Sequence, residues 1–122
     1  MKNTIEMISC WGYAPEYEAD RYNNCGSYYQ PTGGALFSIG GQPVTIEIDD
    51  SSCGDFGSRV YISIDTRTHN WSWTTGTMDD ASIATRAEED AILSSISGVL
   101  GLDALADLVR PAIAAMDWAA CH

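Results

Sequence analysis

From Pro43 to Thr74, apolar and polar residues take turns. Pro43-Val-Thr-Ile-Glu-Ile-Asp49 alternates, Arg59-Val-Tyr-Ile-Ser-Ile-Asp65 alternates, and Asn70-Trp-Ser-Trp-Thr74 alternates again. A strand sends successive side chains to opposite faces, so a period of two predicts strands with one dry and one wet face. Val44, Ile46 and Ile48 share the dry face with Val60, Ile62, Ile64, Trp71 and Trp73. Thr45, Glu47, Asp49, Tyr61, Ser63, Asp65, Ser72 and Thr74 share the wet one. The connection from Asp49 to Gly57 is polar and carries Asp50 and Asp55, and Arg67-Thr-His-Asn closes the next hairpin.

Upstream the pattern is less decisive. Residues 3 to 11 read as a first strand, but Ile5, Met7 and Ser9 alternate with Glu6, Ile8 and Cys10, and neither series is clearly the inner one. Residues 33 to 39 read as a strand with Ala35, Phe37 and Ile39 on one face, and Gly40-Gly41-Gln42 is a hairpin turn. Between these strands, residues 12 to 32 hold Pro15, Asn23, Asn24, Gly26 and Pro31. This is a long loop, or it contains a short helix over Glu16 to Tyr22. Tyr13, Tyr17, Tyr22, Tyr28 and Tyr29 suit a binding loop, because tyrosine offers contact area at low entropy cost. They equally suit a cover for one edge of the sheet.

After Gly76 the period changes. Thr85-Arg-Ala-Glu88 has the spacing of a capping box, with Asp79, Asp80 and Ser82 as earlier possible starts. Ile83, Ala87, Ala91, Ile92, Ile96, Val99 and Leu100 recur at helical steps up to Gly101. Asp103 is placed to cap a second helix striped by Leu102, Leu105, Leu108, Val109, Ala112, Ile113 and Met116. Pro111 lacks a backbone donor, so a kink or split is expected there. The economical arrangement is an α+β fold: an antiparallel β-meander of about four to five strands with two C-terminal helices packed on one face. One domain is expected over residues 1–122, strand-rich over 1–75 and helical over 79–120.

Composition sharpens this picture at one point. The 122 residues include 17 acidic and 6 basic side chains, a net charge of -11. Such self-repulsion costs stability. Solubility or a salt-loving source would account for it, and so would a basic partner. The basic residues Lys2, Arg21, Arg59, Arg67, Arg86 and Arg110 are scattered, so direct binding of nucleic acid is not expected. With 45% hydrophobic residues the chain is no disordered acidic tail. Met1-Lys-Asn-Thr-Ile-Glu6 is not a signal peptide and no stretch suits a membrane span, so a cytoplasmic protein with reduced thiols is expected.

Catalytic and metal chemistry find little support. Cys10, Cys25, Cys53 and Cys121 lack zinc-site spacing, so neither a metal nor a cofactor is expected. Asn24-Cys-Gly-Ser27 and Ser52-Cys-Gly-Asp55 look alike and would pair only under oxidising conditions. Asp49, Asp50 and Asp55 crowd one connection, but the string Asp-Asp-Ser-Ser-Cys-Gly lacks the alternating acids and the matching glutamate of an EF-hand, which leaves room only for a weak, irregular calcium site. There is no Gly-x-Ser-x-Gly, and Cys53 with His69 is a pairing in composition only. A non-enzymatic protein is the expectation. The acids remain: Glu88, Glu89 and Asp90 read as a solvated helix surface, whereas the carboxylates of the sheet stand at spacings its strands fix. Neighbouring strands place side chains about 5 Å apart and one strand face about 7 Å apart, a lattice suited to lysines and arginines built for phosphates. Glu47, Asp49, Asp50, Asp55 and Asp65, with Tyr61 at the centre, are the candidate partner-binding residues.

A small, strongly acidic α+β chain without a catalytic motif resembles the phage-encoded inhibitors of bacterial nucleic-acid-binding machines, among which the anti-CRISPR proteins are the largest group. The resemblance is one of size, charge and build over the whole chain, and no family residues are carried over. It implies a stoichiometric inhibitor, acting in the host bacterial cytoplasm, that occupies a DNA- or RNA-binding groove of a CRISPR effector complex. The alternatives are an immunity or antitoxin protein that neutralises a basic nuclease, and a small enzyme or metal-binding protein using Cys53 or His69.

Overall fold

The computed structural model describes residues 3–13, 32–52 and 56–121. Five strands, β1 (Ile5–Tyr13), β2 (Thr32–Ile39), β3 (Gln42–Asp50), β4 (Arg59–Asp65) and β5 (Asn70–Gly76), precede two helices, α1 (Arg86–Leu100) and α2 (Ala106–Cys121). The strands form one antiparallel sheet in the order β1-β2-β3-β4-β5. The helices lie against one face, which is the α+β arrangement that the alternation followed by a helical period predicts. The tyrosine-rich stretch falls almost wholly in 14–31, outside the described residues, as do Cys25, Cys53, Asp55 and His122.

The dry face is the core. Phe37, Val44, Ile46, Ile48, Ile62 and Ile64 are buried beneath Ile96, Leu100, Leu108, Ala112 and Met116. Trp71 and Trp73, 9% and 6% exposed, belong to the same cluster. Their ring nitrogens point back at α1: Trp71 Nε1 donates to Ser95 Oγ and Trp73 Nε1 to Glu89 Oε2, each at 3.1 Å. Each indole thus supplies buried apolar area and satisfies its one polar atom, which fixes α1 over β5. His69 stacks on Trp71 with ring centroids 5.4 Å apart and planes 10° from parallel.

The first strand explains its own ambiguous pattern. Met7 pairs with Phe37 and Ser9 with Leu36, so Ile8 is an extra residue and the strand is bulged. Before the bulge Ile5 and Met7 share a face with Ile39 and Phe37. After it Cys10, paired with Ala35, takes the helix side, where its Sγ lies 3.8 Å from the Ala115 carbonyl. The inner positions change parity in mid-strand, so no single alternating series describes β1. At Gly12 the α2 backbone comes so close that a Cβ would stand 2.3 Å from the Met116 carbonyl oxygen.

Helix α1 begins at Thr85, whose Oγ1 accepts from Glu88 N while Glu88 Oε1 accepts from Thr85 N. It ends at Gly101, in the left-handed conformation that glycine adopts without a steric cost. Asn3 clamps that end, with Nδ2 donating to the Leu100 carbonyl and its backbone N–H to the Gly101 carbonyl, both at 2.8 Å.

Helix α2 departs from expectation twice. It starts at Ala106, which leaves Asp103 upstream of the capping position. It also runs through Pro111 without a break. Proline removes one donor, but Leu108 on one side and Ala112 and Met116 on the other are fully buried, and that packing keeps the segment helical across Pro111, so the expected split does not occur. No helix among the described residues is long and apolar enough to cross a membrane.

Candidate functional site

The face without helices is built in rows, because paired residues on adjacent strands share a side. One row runs Trp11, Gly34, Glu47, Ser63, Ser72 from β1 to β5. The next runs from Thr32 through Asp49 and Tyr61 to Thr74. A third contains Ser9, Leu36, Thr45, Asp65 and Asn70. Alternation predicts the membership of β3, β4 and β5 on this face, and the register adds that Asp49 stands directly opposite Tyr61.

Glu47 and Asp49 are exposed neighbours on one side of β3. Among the described residues neither has an ion-pair partner. Asp49 Oδ1 accepts a hydrogen bond of 3.3 Å from Thr32 Oγ1. Tyr61 is 44% exposed. Ser63, only 8% exposed, lies low between its neighbours. A shallow cavity of about 360 Å³ opens here, lined by Trp11, Thr32, Gly33, Glu47, Ile48, Asp49 and Tyr61.

Trp11 is the member that reading the sequence missed. The bulge carries it to the open face, where it remains 45% exposed. Its ring lies over Gly34, since a Cβ at that position would come within 2.5 Å of Trp11 Cζ2. A glycine inside a strand often marks such a close approach, and Gly34 is the signal that points to it.

Two other proposed members sit elsewhere. Asp50 belongs to β3 and not to the connection after it; it pairs with Val60 and shares the side of Ile48, opposite to Asp49. Its Oδ1 accepts from Ser52 N at 2.9 Å, a local turn contact. Asp65 does share the open face, but four residues along β4 from Tyr61, roughly 13 Å at the strand rise. There it accepts a hydrogen bond from Asn70 Nδ2 across the hairpin. Asp55 lies outside the described residues.

One cation borders the site. Arg59 lines a second depression, of about 220 Å³, on the far side of Tyr61 together with Asp49, Ser51 and Thr74. Its guanidinium is already engaged. Arg59 Nε lies 3.0 Å from Asp80 Oδ2, an ion pair without hydrogen-bond alignment, and Arg59 Nη2 is 3.4 Å from Ser82 Oγ. The Ser82 backbone N–H donates to Asp80 at 2.8 Å. With the Ser82 hydroxyl and the charge of Arg59 it holds the Asp80 carboxyl below its ordinary pKa.

The acids of α1 are not merely a solvated surface. Glu88 closes the capping box, and the Thr85 backbone N–H, followed by its hydroxyl, lowers the Glu88 pKa. Glu89 accepts from Trp73. Among the described residues no three His, Cys, Asp or Glu side chains are grouped to hold a metal ion. The chain matches no protein-family model, no curated protein and no solved structure, so the site is read from its own geometry.

Proposed function

We propose that this chain is a non-enzymatic binding protein whose open sheet face docks on a lysine- and arginine-rich surface built for nucleic acid. The observation that carries the reading is the pairing of Asp49 with Tyr61, with Glu47 in the adjoining row, on the face the helices leave uncovered. Five hydrogen-bonded strands hold these groups at fixed backbone spacing, so little backbone order remains to be acquired on binding. The net charge of -11 favours fast encounter with a basic partner and disfavours nucleic acid itself. The resemblance to acidic phage inhibitors makes the nucleic-acid groove of a CRISPR effector complex the first partner to test. A basic nuclease, as met by immunity and antitoxin proteins, is the second.

The test compares two variants that remove equal charge. One is Glu47→Gln with Asp49→Asn on the sheet. The other is Asp90→Asn with Asp103→Asn, both exposed positions away from that face. Glu88 and Glu89 are unsuitable controls because each has a structural partner. Displacement of nucleic acid from the purified effector complex, and separately from the nuclease, is measured across a salt series. The sheet pair is expected to weaken displacement at least tenfold, since breaking a buried interfacial charge pair costs about 2–5 kcal/mol while a rim pair costs little. Equal effects from both pairs would leave only general electrostatics and reject the open face as the docking surface.

A further inference from the structure

We infer that the cavity between Trp11 and Tyr61 is an anchor pocket for a single arginine side chain of the protein partner. The inference rests on the docking reading above and specifies its chemistry. Trp11 and Tyr61 are half-exposed aromatic rings bordering one cavity of about 360 Å³. Between the rings it is lined by Thr32 and Gly33 of β2 and by Glu47, Ile48 and Asp49 of β3, so two of its lining residues carry carboxylates. Neither carboxylate has an ion-pair partner among the described residues, and none of the described residues lining the cavity is a cation, so two negative charges about 7 Å apart border it while Arg59 lies in the adjoining depression that Asp49 also lines.

A cationic guest relieves that repulsion and a neutral one does not. Among cations, guanidinium fits best: it is planar, stacks on aromatic faces, and presents forked donors to a carboxylate. An ammonium is a compact, strongly hydrated point charge and loses more water for fewer oriented contacts. The chain's own Arg59 lines the depression on the opposite side of Tyr61 and is held there by Asp80 and Ser82. Tyr61 thus stands between a depression already bordered by a guanidinium and one that is open to a guanidinium from outside.

The test uses the full chain with oligo-arginine and oligo-lysine peptides of equal length and charge. Binding is followed by titration calorimetry and by the NMR shift of the Trp11 indole N–H, assigned through Trp11→Phe. The arginine peptide is expected to bind about tenfold more tightly than the lysine peptide. That preference should vanish in Trp11→Ala, shrink in Tyr61→Ala and be partly kept in Trp11→Phe. Circular dichroism and melting establish that each variant is folded, and Tyr61→Ala carries the test if Trp11→Ala is not. Equal affinity for the two peptides, or an arginine preference that survives both alanine variants, overturns the pocket. If Glu47→Gln with Asp49→Asn still abolishes binding in that case, the docking face stands and only its anchor is wrong. If that pair too leaves binding unchanged, both fall.

Discussion

The two faces of the sheet are made by the same strands and obey different rules. On the helix side every residue of β3 from Val44 to Ile48 that points inward is apolar and buried. Packing against α1 and α2 accounts for each of them. On the open side the same strand carries Thr45, Glu47 and Asp49, opposite Asp65, Ser63 and Tyr61. Packing does not ask for two carboxylates without an ion-pair partner among the described residues, beside two half-exposed aromatic rings. A side chain that folding does not require is where a binding role is to be sought, and the contrast can be attacked from either side.

The largest effect is expected from the covered face. Trp73→Ala removes a buried indole and leaves Glu89 without its donor. A loss of about 3–5 kcal/mol is expected from the lost burial and the cavity together. Set against a usual total of about 5–15 kcal/mol, this should lower Tm sharply in a calorimetric scan. A normal Tm would mean that the covered face tolerates holes and that the contrast with the open one is overstated.

Next is the place where α2 touches β1. Gly12→Ala would set a methyl group 2.3 Å from the Met116 carbonyl oxygen, a backbone atom that cannot swing aside. Helix and strand must part, at a cost of about 1–3 kcal/mol by analogy with overpacked cores. Urea unfolding should show this as a lower midpoint with an unchanged slope. An unaffected midpoint would show that α2 rides loosely on β1.

The capping box comes third. Thr85→Ala should cost about 1 kcal/mol, in the range for lost N-caps, read from the same unfolding curves. Glu88 adds a pH dependence. Its folded pKa lies below its unfolded one, so the charged carboxylate contributes stability above the ordinary value of 4.5 and loses it as pH falls through the lower folded value. Glu88→Gln keeps an acceptor for the Thr85 N–H and cannot titrate. The gap in Tm between the two proteins should therefore be widest near neutrality and narrow below about pH 4.5. A gap that is constant with pH would remove the charge from the explanation.

These expectations also mark what could be read in the sequence. Alternation made β3, β4 and β5 legible together with both of their faces, and it placed Trp71 and Trp73 inside. The Thr85–Glu88 spacing and Gly101 located α1. What stayed hidden depended on register and contact over distance. The extra residue Ile8 switches the inner parity of β1, so Trp11 could not be assigned to a face until its pairing with Gly34 was known. Asp50 read as a connection residue because nothing local shows β3 continuing through it to pair with Val60. Pro111 read as a kink or split, and no split occurs, because local propensity was weighed without the burial on either side of it. Glu89 read as a surface acid because its partner is a tryptophan on a strand distant in sequence.

The smallest effect on stability bears most directly on function. Glu47 and Asp49 repel one another on one strand face, at about 7 Å. At the dielectric of bulk water that repulsion is about 0.6 kcal/mol, and less in salt, because screening sets in over about 10 Å at 0.1 M. Glu47→Gln with Asp49→Asn removes it without disturbing the fold, since an asparagine oxygen can still accept from Thr32. The double variant should thus be as stable as the parent or a few tenths of a kcal/mol more stable at low salt, with the difference fading as salt is added. The opposite behaviour is expected of the covered face, where truncating a buried side chain costs stability. Thermal melts of parent and variant in low and high salt decide the matter. Equal or raised Tm together with lost partner binding would mean that the carboxylates are kept at some expense to folding. A fall in Tm of several degrees would mean that they hold the sheet together, and the open face would then be structural after all.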